Sequence, residues 1–460
     1  MLESSRAALG NARESGTGVR ATLGAGMSGK DRRTGGAAIA GTTERRFAKV
    51  REVFAENFDS GDEVGAAFCV YERGRPVIDL WGGCADPRTG RQWEEDTTAI
   101  IYSATKGVTA GIVLHLVDEG LLDLDARVAD YWPEFAAGGK ERITLKHLLT
   151  HRAGLPAVDR PITLAMMEAW HPVVDALAAQ RPAWEPDTAH GYHALTFGWL
   201  LGEVVRRATG RTPGQYLREK VAPSLRLDLR IGTPPEQEHR FAPTIPPREI
   251  EPYPDKGYEE FIRQLVALAP ARGTGERALK RQQRFTTLVK GPARDLADRM
   301  VGRLVQRRVE TLAQRTFATV MVNRFDMNTP RLHALEMPAG NAICTARGLA
   351  RYYATLGGEV DGRRLLSPGL AEQAAQPWSR GPDRVLLSHT AFGLGFMVPS
   401  GPYFDGWGYR TFGHQGSGGA LGFADLDNDL AFGYVLNKHC AAPRNPRAEA
   451  LVRAVYACLA

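Results

Sequence analysis

Ser103 and Lys106 stand three residues apart in Ser103-Ala104-Thr105-Lys106, where a stretch with apolar residues at helical spacing begins. At the start of a helix this spacing puts both side chains on one face, one turn apart. The positive end of the helix dipole disfavours an ammonium there, so a neutral Lys106 amine is suited to take the proton of Ser103 and activate a weak nucleophile. The spacing alone recurs by chance, and the plain alternative is an N-cap serine followed by a surface lysine. Tyr192 offers a phenol for proton transfer, or else an aromatic packed at the entry to a helix. His414 sits in Gly413-His414-Gln415-Gly416-Ser417-Gly418-Gly419 before two strand-like runs, either in a site or as a strand-end histidine.

Other groupings carry less. His147 and His151 have the i, i+4 spacing of metal ligands, but no Glu follows His147, and they read as structural. His190 and His193 flank Tyr192 as pocket-lining residues rather than ligands. Gly24–Lys30 mimics a phosphate loop, yet Asp31 replaces the hydroxyl that would hold magnesium and no apolar strand precedes it. Neither Ser103 nor Ser417 lies in G-x-S-x-G, so a nucleophile elbow is not supported. The five cysteines (Cys69, Cys84, Cys344, Cys440 and Cys458) show no C-x-x-C spacing and read as free thiols.

The elements that must position these residues follow from periodicity. Phe47, Val50, Val53 and Phe54 fall at helical spacing, so order is expected from about Arg45, after a Gly/Ala/Ser/Thr-rich leader over 1–44 read as disordered. Residues 66–71 and 76–81 read as a strand hairpin, and a helix runs from Ser103 to Gly120. A helical, loop-broken region extends to about 225. Residues 392–398, 421–426 and 430–436 read as strands, the last two joined by a turn at Asp427-Asn428-Asp429, and 447–459 as a closing helix. Strands at both ends around a helical middle predict an α+β fold. Its antiparallel sheet comes from 45–110 and 335–460, and a helical domain over 111–334 is inserted. A variable, basic insertion occupies about 235–334 of that domain.

Charge adds a constraint. The 460 residues carry a net +6, but 1–50 hold nine Lys/Arg against four Asp/Glu, and 270–330 hold thirteen against five. The basic residues thus gather in the leader and one internal stretch over a mildly acidic body, which disfavours nucleic acid as a partner. The 270–330 stretch reads as a solvated helix face, with a lid or a peripheral contact to an anionic membrane as alternatives. No run of eighteen apolar residues predicts a membrane span, and the absence of a secretory-type apolar segment gives a cytoplasmic expectation.

The run from Ser103 through Gly120, Leu122-Asp123-Leu124-Asp125 and Ile143–Leu155 resembles the serine β-lactamase and D,D-peptidase superfamily. It is most similar to the class C-like branch that includes family VIII-type carboxylesterases. Tyr192-His193-Ala194 and His414-Gln415-Gly416 resemble that branch's second and third motifs, in the family's order. The resemblance implies Ser103 as acylated nucleophile and Lys106 as its base. It implies Tyr192 as second acid/base, with its phenol pKa drawn down by the lysine. The Ser103 and Ser417 N–H groups would form an oxyanion hole, with His414 and Gly416 in substrate binding and His193 and Gln415 at the pocket. It implies no cofactor and no metal. Ala194 stands where β-lactamases carry Asn, and His414 where they carry Lys. Both departures favour small-molecule esters over β-lactams. A D,D-peptidase or amidase, a weak β-lactamase, an acyltransferase and a catalytically silent scaffold are the alternatives. Oligomeric state is not legible here.

Overall fold

The computed structural model describes residues 37–160, 162–246, 312, 316, 326–399, 408–440 and 445–459. Residues 1–36 of the expected disordered leader, the phosphate-loop mimic and nearly all of the basic stretch lie outside those residues.

Alternating burial marks the first strand, β1 (Ile39–Thr43), which runs into helix α1 (Ala48–Asp59). Strands β2 (Gly65–Glu72) and β3 (Arg75–Asp86) form the expected hairpin, turning at Arg73 and Gly74, both with positive φ. β1 corrects the expected start of order. It pairs antiparallel with β3 from Ile39↔Gly82 to Thr43↔Ile78, and Arg51 of α1 donates to the carbonyls of Gly41 (3.2 Å) and Ile39 (2.5 Å). Ile-Ala-Gly-Thr-Thr carries too little apolar contrast to announce a strand; the partners recruit it.

Helix α2 (Thr105–Asp118) is buried on nearly every side and ends at Gly120, φ +70°. After it come α3 (Leu145–Leu149), α4 (His171–Ala179) and α5 (Thr196–Thr209), the last packing on α2. The chain returns to the sheet through α6 (Ala346–Gly357) and α7 (Pro368–Ala375). A small hairpin, β4 (Ser379–Pro382) with β5 (His389–Phe392), precedes β6 (Thr411–Gln415), β7 (Leu421–Asp425) and β8 (Leu430–Leu436). Helix α8 (Pro446–Ala457) closes the fold against α1. The expected strand over 392–398 stops at Phe392. Gly393 N–H turns back to the Phe396 carbonyl (2.8 Å) and Gly395 takes φ +84°, so the run bends instead of extending.

The main sheet has the order β1-β3-β2-β8-β7-β6 and is antiparallel throughout, with Arg91–Gln92 added beside β3. Its central seam joins the two chain ends, from Leu430↔Glu72 to Leu436↔Ala66. Phe423 and Phe432 stack across β7 and β8 at 4.1 Å between ring centroids. Helix α6 lies on this seam and drives Tyr352 and Tyr353 into α2, where Gly107 and Gly111 leave room for their hydroxyls. The Tyr352 hydroxyl donates to the Val108 carbonyl at 2.8 Å. That wedge fixes α2, and with it the turn before α2, relative to the sheet edge. The helical region also touches the sheet side directly: Ala99–Ile100, Leu229–Arg230 and Ile343–Cys344 make a small three-stranded patch. Among the described residues no helix is long and apolar enough to cross a membrane.

Candidate active site

Ser103 lies on a single 3₁₀ turn, Tyr102–Ala104, that leads into α2 and leaves its side chain partly exposed. Tyr102 takes φ +47°, a left-handed conformation that costs a non-glycine residue roughly 1–3 kcal/mol. Its surroundings hold it there. The Tyr102 hydroxyl lies 3.2 Å from Thr244 Oγ1, and its ring meets His439 edge-on at 4.7 Å. Thr244 in turn pairs reciprocally with Asn328, its N–H donating to Asn328 Oδ1 (2.7 Å) and its carbonyl accepting from Asn328 Nδ2 (3.0 Å). Both described flanks of the basic insertion therefore meet beside the nucleophile turn.

One turn on, Lys106 is 0% exposed, with Nζ 2.9 Å from the Ala339 carbonyl and 3.4 Å from Ser103 Oγ. Burial pushes its pKa well below the usual lysine range. The ammonium form would gain from the Tyr192 ring, whose centroid is 4.7 Å from Nζ, but desolvation outweighs that attraction. A neutral amine that donates to Ala339 keeps a lone pair for the Ser103 proton.

Tyr192 comes from an irregular segment before α5. Its phenol faces the Ser103 hydroxyl, and its ring stacks on Phe392 at 6.0 Å and 14°. The expectation that Lys106 draws the phenol pKa down is corrected: burial pushes it up, Asp383 adds to the rise, and the Ser103 hydroxyl offsets only part of it. Lys106, itself held well below the usual lysine range by burial, does not offset the rise. Tyr192 is thus a phenol at rest.

On the opposite side, His414 of β6 donates from Nδ1 to the Gln415 carbonyl (2.7 Å), which leaves Nε2 as an acceptor. Nε2 is buried with no hydrogen-bond partner among the described residues, and the ring centres 6.0 Å from that of Tyr192. Burial lowers its pKa to about 3, so His414 presents a neutral acceptor and not a substitute for a lysine charge. Past it, Gly416 packs on the Ile101 carbonyl with no room for a Cβ, and its N–H is spent on the Ala420 carbonyl at 2.7 Å. Its N–H is therefore not free to meet a substrate. Its close approach brings the exposed Ser417 over the nucleophile turn, with a main-chain N–H that no described residue accepts. Gln415 stays partly exposed.

His193 is drawn away from the pocket role expected of it. Nε2 accepts from Leu155 N–H (3.0 Å) and Nδ1 donates to the Gly191 carbonyl (2.7 Å), so both nitrogens are committed to bracing loops. His151 moves the other way. The helix ends at Leu149, His151 turns to φ +59°, and its ring packs 5.1 Å from Tyr192 and 4.5 Å from Phe392. His147 stays behind, accepting from Thr144 N–H (3.1 Å) and facing Asp187 (3.1 Å). The i, i+4 spacing therefore does not bring the two imidazoles together.

A family model described as Beta-lactamase matches residues 50–457. The chain belongs to the β-lactamase family. It is 32% identical over 421 residues to the esterase/β-lactamase LipL of Mycobacterium tuberculosis, covering 90% of this chain and 86% of that one. Among solved structures, a novel penicillin-binding protein homolog from Caulobacter crescentus matches with TM-score 0.75 and 32% identity, covering 92% of this chain and 100% of that one. A family VIII carboxylesterase matches with TM-score 0.71 and 34% identity over the same shares. The chain is a serine hydrolase of this fold.

Within this β-lactamase-family site, an apolar cluster lies beside the reacting groups. Tyr192, Ala194, Val385, Phe392 and Met397 are buried together, with Leu312 and Leu386 packed against them and partly exposed. Ala194 extends the apolar wall where a polar amide would break it. Among the described residues, Leu312 of the basic insertion packs on this cluster.

Proposed function

We propose that the protein is a carboxylesterase working through an acyl-enzyme on Ser103. The observation that carries this reading is the buried Lys106 amine 3.4 Å from Ser103 Oγ, its pKa held well below the usual lysine range, with the Tyr192 phenol facing the same hydroxyl. Ser103 Oγ attacks the ester carbonyl carbon as its proton passes to Lys106 Nζ. The tetrahedral oxyanion is met by the Ser103 and Ser417 N–H groups, each worth roughly 10²–10³ in rate in comparable hydrolases. When the C–O bond breaks, the departing alkoxide takes the Tyr192 proton, and Lys106 returns its proton to Tyr192. Water repeats the sequence on the acyl-enzyme and releases the carboxylic acid.

Ester preference is supported by the apolar wall at Ala194 and by the neutral acceptor His414 Nε2. The names of the relatives, an esterase/β-lactamase and a family VIII carboxylesterase, support it too. Intact mass after incubation with a short p-nitrophenyl ester, a β-lactam and a D-Ala-D-Ala peptide tests it. The expected result is an acyl adduct on Ser103 from the ester with turnover that Ser103→Ala abolishes. Turnover confined to the β-lactam or peptide contradicts it.

A further inference from the structure

Tyr192 lies in a segment with no helix or strand of its own, yet its phenol has to meet Ser103 closely. What holds it comes from 191 residues away, at the tip of the β4–β5 hairpin. The Asp383 carboxylate is 0% exposed. Oδ1 accepts from the N–H groups of Tyr192 (3.1 Å), Val385 (2.8 Å) and Leu386 (2.8 Å). Oδ2 accepts from Tyr192 N–H (3.1 Å) and from the Thr390 hydroxyl (3.1 Å). All four partners are donors, which suits a carboxylate and leaves an amide one misfit. Because Thr390 spends its proton on Asp383, it accepts from His190 Nε2–H at 2.8 Å. Arg384 N–H donates to the His190 carbonyl (3.2 Å), and Phe392 of β5 stacks under the Tyr192 ring. The hairpin thus grips residues 190–192 through a backbone donor, a backbone acceptor, a side chain and a ring.

We propose that Asp383 is a positioning residue for the reaction: by binding Tyr192 N–H it sets where the Tyr192 phenol meets Ser103. The proposal rests on Tyr192 acting as the acid/base of the esterase reading. Asp383 touches no reacting atom, so its effect passes through Tyr192 alone.

The test is a double-mutant cycle on the full chain with a p-nitrophenyl ester. It compares Asp383→Ala, Asp383→Asn, Tyr192→Phe and the two combinations of an Asp383 variant with Tyr192→Phe. A misplaced catalytic group costs on the order of 10²-fold, so Asp383→Ala should lower kcat by about that factor with KM changed less than about threefold. Asp383→Asn keeps Oδ1 for three backbone donors, and its Nδ2 reverses the Thr390–His190 relay, so kcat should recover to within about tenfold of the parent. Each double variant should be no slower than Tyr192→Phe alone, because a residue acting through another has nothing left to act on. Losses that multiply, or a loss carried by KM, overturn the proposal. If Asp383→Ala does not fold, Asp383→Asn and Thr390→Val carry the same cycle with the same two outcomes. Full turnover in Tyr192→Phe overturns the acid/base reading and this proposal together. Failure of the proposal alone leaves Tyr192→Phe impaired.

Discussion

Among the described residues two lysines are buried to 0% exposure, and they are not alike. Lys140 sits in the helical region, its Nζ donating to the carbonyls of Ala137 (2.5 Å), Ala178 (2.9 Å) and Gln180 (2.5 Å). Lys106 has one carbonyl, that of Ala339, and otherwise faces Ser103. Three acceptors match the three protons of an ammonium, and burial lowers the Lys140 pKa only to about 8. Burial drives the Lys106 pKa well below the usual lysine range, whereas Glu141 opposes the fall at Lys140. The contrast teaches that burial alone does not make a reactive lysine. What sets Lys106 apart is placement: its amine meets one carbonyl where Lys140 meets three, and it faces the nucleophile.

The largest effect should come from exchanging the two roles. Lys106→Met should lower kcat by about 10³–10⁴-fold, as loss of a general base does, with melting temperature unchanged or raised. Lys140→Met should do the reverse, leaving kcat within about twofold while stability falls by roughly 1–3 kcal/mol, because buried carbonyls lose their donors. Steady-state kinetics beside thermal melts read both. Equal effects of the two variants on kcat would break the comparison.

Tyr192→Phe comes next, with a loss of about 10²–10³-fold in kcat, since it removes a proton donor but leaves the Ser103–Lys106 pair. A smaller effect concerns the histidines that share the neutral interior. His193 and His414 are held at about 3 by burial, against an unfolded value near 6.5. Between those values the unfolded chain binds protons that the folded chain refuses. Stability should therefore fall as pH drops from about 6.5 toward 3. Melting temperature against pH checks this, and His414→Gln should flatten part of the slope. An unchanged slope would mean that His414 titrates normally.

How much of this was legible in the sequence depended on distance along the chain. Ser103 and Lys106 were readable because one helical turn joins them. The β2–β3 and β7–β8 hairpins were readable because alternation and turn residues are local signals. β1 was not, because Ile39–Thr43 is a strand only by virtue of β3. Asp383 left no sign at all, as its partner Tyr192 is 191 residues away. His151 was read with His147 as structural, and its place against Tyr192 follows from the end of α3 at Leu149, which the i, i+4 spacing does not announce. The direction of the Tyr192 pKa shift was misjudged for a physical reason: it is set by burial of the phenol, a tertiary property that the motif residues do not announce.

The most direct measurement is the rate at which a fluorophosphonate probe labels Ser103, followed by intact mass across about pH 5 to 10. A Lys106 amine already neutral at rest predicts labelling that is maximal by about pH 7 and flat above it. A rate that climbs about tenfold per pH unit toward the ordinary lysine pKa of about 10.4 would show an ammonium at rest and contradict the account.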